Sequence, residues 1–75
     1  MPPLPNLSGK EVVRLLEKAG WEKVRQRGSH MIMMKPGEIA SLSVPNHKEV
    51  AKGTLRSLIR AAGLTPDAFI GLLKK

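Results

Sequence analysis

Apolar positions recur along this chain with a period that changes twice, and the changes mark its elements. Val12, Leu15, Leu16 and Ala19 follow the i, i+3, i+4, i+7 spacing that lines one face of a helix. Ahead of them, Ser8-Gly9-Lys10-Glu11 has the form of a capping box, in which the Ser8 hydroxyl accepts from the Glu11 amide and the Glu11 carboxylate accepts from that of Ser8. Leu7 and Val12 stand where a hydrophobic staple would be, and Gly20 is a left-handed stop. The pattern predicts a first helix between Ser8 and Gly20, with Lys10, Arg14, Glu17 and Lys18 on its solvated face. Residues 1–7, with three prolines, predict an extended lead-in.

From Trp21 the period drops to two. Lys23, Arg25 and Arg27 alternate as if on one side of a first strand, and Gly28-Ser29 makes a turn. His30 to Met34, apolar on both faces, reads as the middle strand of a small sheet. Lys35-Pro36-Gly37-Glu38 turns the chain again. Ile39 to Val44 then alternates, with Ala40, Leu42 and Val44 facing one way and Ser41 and Ser43 the other. Antiparallel pairing about that turn places His30 near Val44, with His47 just beyond, so the two histidines would share one end of the sheet.

Asn46 to Gly53 reads as a basic loop, after which Thr54 would cap a second helix carrying Leu55, Leu58, Ile59 and Ala62 as its buried stripe, ended by Gly63. Thr65 and Pro66 open a short last helix, with Leu64 and Phe69 as its staple and Phe69, Ile70 and Leu73 as its buried edge. Trp21 reads as a core or junction residue, and Met31, Met33 and Met34 as flexible packing or an adaptable partner surface. The expected architecture is α+β: a helix, a three-stranded antiparallel sheet, then one longer and one short helix, with the helices on one face. Residues 1–75 form one expected domain, including the lead-in at 1–7.

Charge narrows the partner. Thirteen Lys and Arg against six Asp and Glu give a net charge of +7, a field that attracts polyanions and makes nucleic acid the leading partner class. The absence of cysteine removes thiolate, redox and cysteine-ligated zinc chemistry. No apolar run approaches the ~18 residues of a membrane span, and the start of the chain lacks the regions of a signal peptide, so the cytoplasm is the expected location.

Histidine has the pKa for proton transfer near neutrality, and lysine, arginine and helix amides suit a phosphate. Metal-free RNA cleavage needs both: one proton leaves the 2′-hydroxyl, one reaches the departing 5′-oxygen, and the phosphate between them is stabilised. His30 lies in a basic setting with His47 as a possible second histidine, while Ser29 and the amides around Gly28 could orient the phosphate. A Ser29-His30 nucleophile pair is poorly supported, because neighbours on a strand point to opposite faces. Two histidines and scattered carboxylates do not suggest a metal site, and no cofactor fingerprint is present.

Gly28-Ser29-His30 after a basic strand, Val44-Pro45-Asn46-His47, the run from Lys52 to Leu64, and Phe69 near Leu72-Leu73 together resemble the HicA family of bacterial toxins. The resemblance spans about Leu7 to Leu73. It implies a double-stranded-RNA-binding-like fold and a ribonuclease toxin of a toxin–antitoxin system. Such a toxin cuts mRNA, blocks translation and is neutralised by a HicB-type antitoxin. It also implies that His30 is the catalytic histidine and that His47 binds substrate or supports His30, with Arg27, Gly28, Ser29, Lys48, Lys52 and Thr54 as further RNA-binding candidates. A non-catalytic double-stranded-RNA-binding module is the main alternative, with the amino end of the second helix, Lys48 and Lys52 gripping phosphates. A helix-turn-helix DNA reader over Thr54 to Leu73 ranks lower, since its second helix offers Asp67, Gly71 and apolar residues where base-reading side chains would stand.

Overall fold

The computed structural model describes residues 4–73. Its elements run α1 (Gly9–Lys18), β1 (Glu22–Arg27), β2 (His30–Met34), β3 (Leu42–Pro45), α2 (Lys52–Ala61) and α3 (Pro66–Leu72). The strands form one antiparallel sheet in the order β1-β2-β3, so the most apolar strand is central, as its composition predicts. This is an α+β, double-stranded-RNA-binding-like architecture. Residues 1–3 of the expected lead-in lie outside the described residues; from Leu4 to Leu7 the chain is neither helix nor strand, and Leu4 and Leu7 are buried in the core.

α1 begins as its sequence dictates. The Ser8 hydroxyl accepts from the Glu11 amide at 3.2 Å, and the Glu11 carboxylate accepts from the Ser8 amide at 2.9 Å. The hydrogen bond from the Ser8 amide, and after it the Ser8 hydroxyl beside the carboxylate, hold the Glu11 carboxyl below its ordinary value. Val12, Val13, Leu15 and Leu16 are buried, and Ala19 packs against the same core. Gly20 and Gly63 take positive φ after α1 and α2.

The sheet has two unlike sides. Met31 and Met33 of β2 pair with Val44 and Leu42 of β3, and all four are buried with the stripes of α1 and α2. His30, Ile32 and Met34 alternate with them and point to the side away from the core. Trp21, just before β1, is buried; its indole N–H has no hydrogen-bond partner among the described residues, a cost on the order of 1–3 kcal/mol that burial of the ring offsets.

Five expectations need correction. A bulge interrupts β1 between Lys23 and Arg25: Lys23 pairs with Met33, whereas Arg25 pairs with Ile32. Lys23 therefore shares the side of Met33, and only Arg25 and Arg27 share the open side, so the three cations do not lie in one row. β3 starts at Leu42 and not at Ile39; the inward direction of Leu42 and Val44 is nonetheless as expected. α2 begins at Lys52, with Ala51 as a cap that makes no side-chain hydrogen bond, so Thr54 is inside the first turn and caps nothing. The segment expected to be a basic loop buries Val50, whose amide donates to the Leu7 carbonyl at 2.7 Å. Leu73 is exposed, and Leu72 takes its place against the core. By contrast Thr65 caps α3 through the Ala68 amide, with Pro66 at its start and Phe69 buried.

Gly9 shows how tightly α1 meets the end of β3. A Cβ there would stand 2.1 Å from the Pro45 carbonyl oxygen and 3.0 Å from the Cα of Asn46. Gly9→Ala should lower unfolding stability by about 1–3 kcal/mol in denaturant titration, as overpacking does. Gly53→Ala meets nothing within 4 Å in a helical segment and should be neutral or stabilising by up to about 1 kcal/mol. Because the Glu11 pKa is depressed on folding, its stabilisation is present at neutral pH and lost as pH falls through the carboxylate range. Glu11→Gln should therefore be less stable than wild type at pH 7, with the difference shrinking towards acid in parallel denaturation curves.

Candidate functional site

The hairpin turn and the strand end opposite it bring most of the candidate residues to one corner. Gly28 and Ser29 form a two-residue connection between Arg27 and His30, which are cross-strand partners. Gly28 has φ +59° while Ser29 keeps a negative φ, the pattern of a type II′ hairpin turn. Gly28 is thus required by the turn whatever else it touches. A Cβ at Gly28 would meet nothing within 4 Å, so the turn is open to an incoming group.

His30 stands between Arg27 on one side and Pro45 on the other. Directly opposed strand residues have Cβ atoms roughly 5 Å apart, so a phosphate on the imidazole is within reach of the Arg27 guanidinium. Both side chains are exposed on the open side of the sheet. That exposure suits a group that must meet a macromolecular substrate.

Past Pro45 the chain is clasped from two directions. The Asn46 amide donates to the Ser29 carbonyl at 2.6 Å, and the Gly9 amide donates to the His47 carbonyl at 2.9 Å. His47 is thereby held one residue beyond a direct link to the Gly28-Ser29 turn, and the two histidines share one end of the sheet as the strand pattern predicts. They do not line one pocket. His47 lines a shallow depression of about 250 Å³ with Ser8, Lys10, Asn46 and Lys48, and His30 is not among its walls.

The remaining candidates are placed differently. The Lys52 ammonium donates to the Asn6 side-chain oxygen, which directs it towards the lead-in. Thr54 is exposed within the first turn of α2, and Gly53 beside it is engaged through its carbonyl by the Ser57 hydroxyl at 3.1 Å. The structure thus groups Arg27, Gly28, Ser29 and His30 with His47 and Lys48 along one clasped edge, and leaves Lys52 and Thr54 at the start of α2.

Lys10 is the residue sequence reasoning missed. It reads as part of the solvated face of α1, yet it joins His47 and Lys48 around the depression. Its place in the first turn, beside a capping box, was the available signal; the approach of residues 46–48 to that turn was not visible. Arg25 is a second addition: two residues before Arg27 in regular register, it stands on the same open side and extends the row of cations there.

Such an arrangement offers imidazoles for proton transfer and cations for a phosphate backbone. Among the described residues no three His, Asp or Glu side chains come together as a metal site. No helix among them is long and apolar enough to cross a membrane. α3 exposes Asp67 and Ala68, with Leu73 at its C-cap, and presents no Arg, Asn or Gln to read a base, which removes support from a helix-turn-helix reading.

Known proteins resemble this chain over most of its length. A family model described as HicA toxin of bacterial toxin-antitoxin matches residues 9–64, a span that includes α1, the whole sheet, the clasped segment and α2. A chain of a toxin–antitoxin complex from Streptococcus pneumoniae is similar to this one at 41% identity with a TM-score of 0.70, covering 77% of this chain and 98% of that one. No curated protein matches this chain. With the family match extending over most of its length, a histidine-bearing hairpin inside it and the same fold in a toxin–antitoxin complex, this chain belongs to the HicA family of toxins of bacterial toxin–antitoxin systems.

Proposed function

We propose that this toxin is a ribonuclease that cleaves mRNA by attack of a 2′-hydroxyl on the adjacent phosphorus, without a metal ion, in the cytoplasm, and that a HicB-type antitoxin neutralises it. The observation that carries the proposal is the exposed His30 beside Arg27, at a turn bonded directly to the segment that bears His47 and Lys48.

In this reading RNA lies across the corner of the sheet. His30 carries one of the two proton transfers, taking a proton from the 2′-hydroxyl or giving one to the 5′-oxygen that leaves. Arg27 and the backbone of the open Gly28-Ser29 turn hold the non-bridging oxygens as charge builds on them. His47, Lys48 and Lys10 hold the strand next to the scissile phosphate, and His47 is the nearest imidazole along the chain to support the second transfer. Lys52 and Thr54, at the start of α2, contact the backbone further along.

Substitution of His30 separates catalysis from binding. His30→Ala should lower RNA cleavage by the purified toxin by about 10²- to 10⁴-fold while RNA affinity stays near that of wild type. A folded His30→Ala variant that cleaves at the wild-type rate would remove His30 from the chemistry. Wild-type RNA held but left uncut would make this a double-stranded-RNA-binding module. Binding itself should follow counterion release. RNA affinity should fall steeply between low and physiological salt, and Lys48→Gln should make the log–log salt slope shallower by about one phosphate contact.

A further inference from the structure

The open side of the sheet carries more than the corner uses. Beyond His30 and Arg27 it continues as a shallow depression of about 290 Å³ lined by Arg25, Arg27, Ile32, Met34, Ile39 and Ser41. Ile39 is 99% exposed and Met34 42%, and Ile32 between them is partly exposed. Single apolar side chains on a surface are ordinary, but three together between two guanidinium groups are the composition of a contact surface.

We infer that this face of the sheet, built around Ile32, Met34 and Ile39 and rimmed by Arg25 and Arg27, is where an acidic protein surface docks, and that this partner is the antitoxin. The inference rests on the proposed neutralisation by an antitoxin and adds the surface that performs it. Charge complementarity selects the occupant: the depression has two guanidinium groups and no carboxylate in its walls, so it fits apolar side chains flanked by Asp or Glu, which arginine pairs in bidentate fashion. Glu22, opposite Met34, sits at the end of the face away from His30.

RNA fits this face less well. Proteins that read RNA on a sheet stack bases on exposed aromatic rings, and the one Trp and one Phe of this chain are both in the core. Aliphatic side chains give a base nothing to stack on, whereas they are good core contacts for another protein.

Docking here also explains inhibition without distortion of the toxin. Ile32 and His30 are two residues apart on one side of β2, roughly 7 Å along the strand. Arg27 belongs to both the rim of the depression and the surroundings of His30. A partner seated on Ile32 and Arg27 therefore covers the approach to His30 and takes up a cation that the RNA backbone needs.

Ile39→Asp is a clean probe, because a wholly exposed side chain outside the strands supports no core packing. The toxin, its Ile39→Asp variant and an Ile39→Asp, Met34→Asp double variant would be titrated with the antitoxin of the same pair by calorimetry, and the RNA cleavage of each free toxin measured in parallel. Expected is a loss of antitoxin affinity of roughly tenfold or more for the single variant and roughly a hundredfold for the double. Cleavage by the free variants should be unchanged and should resist antitoxin at concentrations that silence wild type. Unchanged antitoxin affinity would overturn the inference. So would a loss of RNA cleavage with antitoxin affinity intact, since the face would then be an RNA contact, or a wild type that binds no antitoxin. If wild type binds antitoxin but cuts no RNA, and the variants lose that binding, the docking surface stands and the ribonuclease reading falls.

Discussion

The contact on which the rest of this structure depends is the one between the amino end of α1 and the chain leaving β3. At Gly9 the two backbones come so close that no side chain fits between them, and three amide-to-carbonyl hydrogen bonds fasten residues 46–50: Asn46 to Ser29, Gly9 to His47, and Val50 to Leu7. Each joins segments far apart in sequence. Together they convert a basic surface segment into a fixed strap between the hairpin turn and the first helix. His47 and Lys48 owe their positions to that strap, and α2 owes its start to it, because the anchored Val50 delivers Ala51 ready to begin a helix without a side-chain cap.

The second constraint is the alternation of the sheet. One side, through Met31, Met33, Leu42 and Val44, supplies the floor of the core under α1 and α2. The other is left to function. A single extra residue in β1 divides the cations: the bulge at Val24 turns Lys23 to the side of Met33, while Arg25 and Arg27, in regular register beyond it, share the open side with His30 and Ile32. The same small sheet thus separates two tasks. Its corner at His30 is where we propose that RNA is cut, and its central open area is the surface proposed for the antitoxin.

Much of this was legible in the residues, and what was not has physical causes. The capping box at Ser8, the Thr65-Pro66 start of α3, the stripes of α1 and α2 and the Gly28-Ser29 turn are local, each decided by a few neighbouring side chains, and all appear as expected. The strand order and the nearness of His30 to the end of β3 followed from antiparallel pairing about one turn. The bulge was not legible, because an inserted residue in a strand leaves no mark in composition. Nor was the start of α2: Thr54 looks like a cap, but the position was settled by the tertiary anchoring of Val50. For the same reason Lys10 looked like ordinary solvated surface. Its neighbours at the site come from residues 46–48, which only the strap brings to the first turn of α1.

In the proposed reaction the clasped corner cuts RNA through the 2′-hydroxyl with protein side chains as the proton carriers. The chemistry at the cut ends reports this most directly. RNA cleaved by the purified toxin in excess chelator should carry 2′,3′-cyclic or 3′-phosphate ends on the upstream fragment and 5′-hydroxyl ends on the downstream one. Ends with a 3′-hydroxyl and a 5′-phosphate, or cleavage that stops when metal is removed, would mean that water and a metal ion perform the attack and would contradict the role given to His30 and its neighbours.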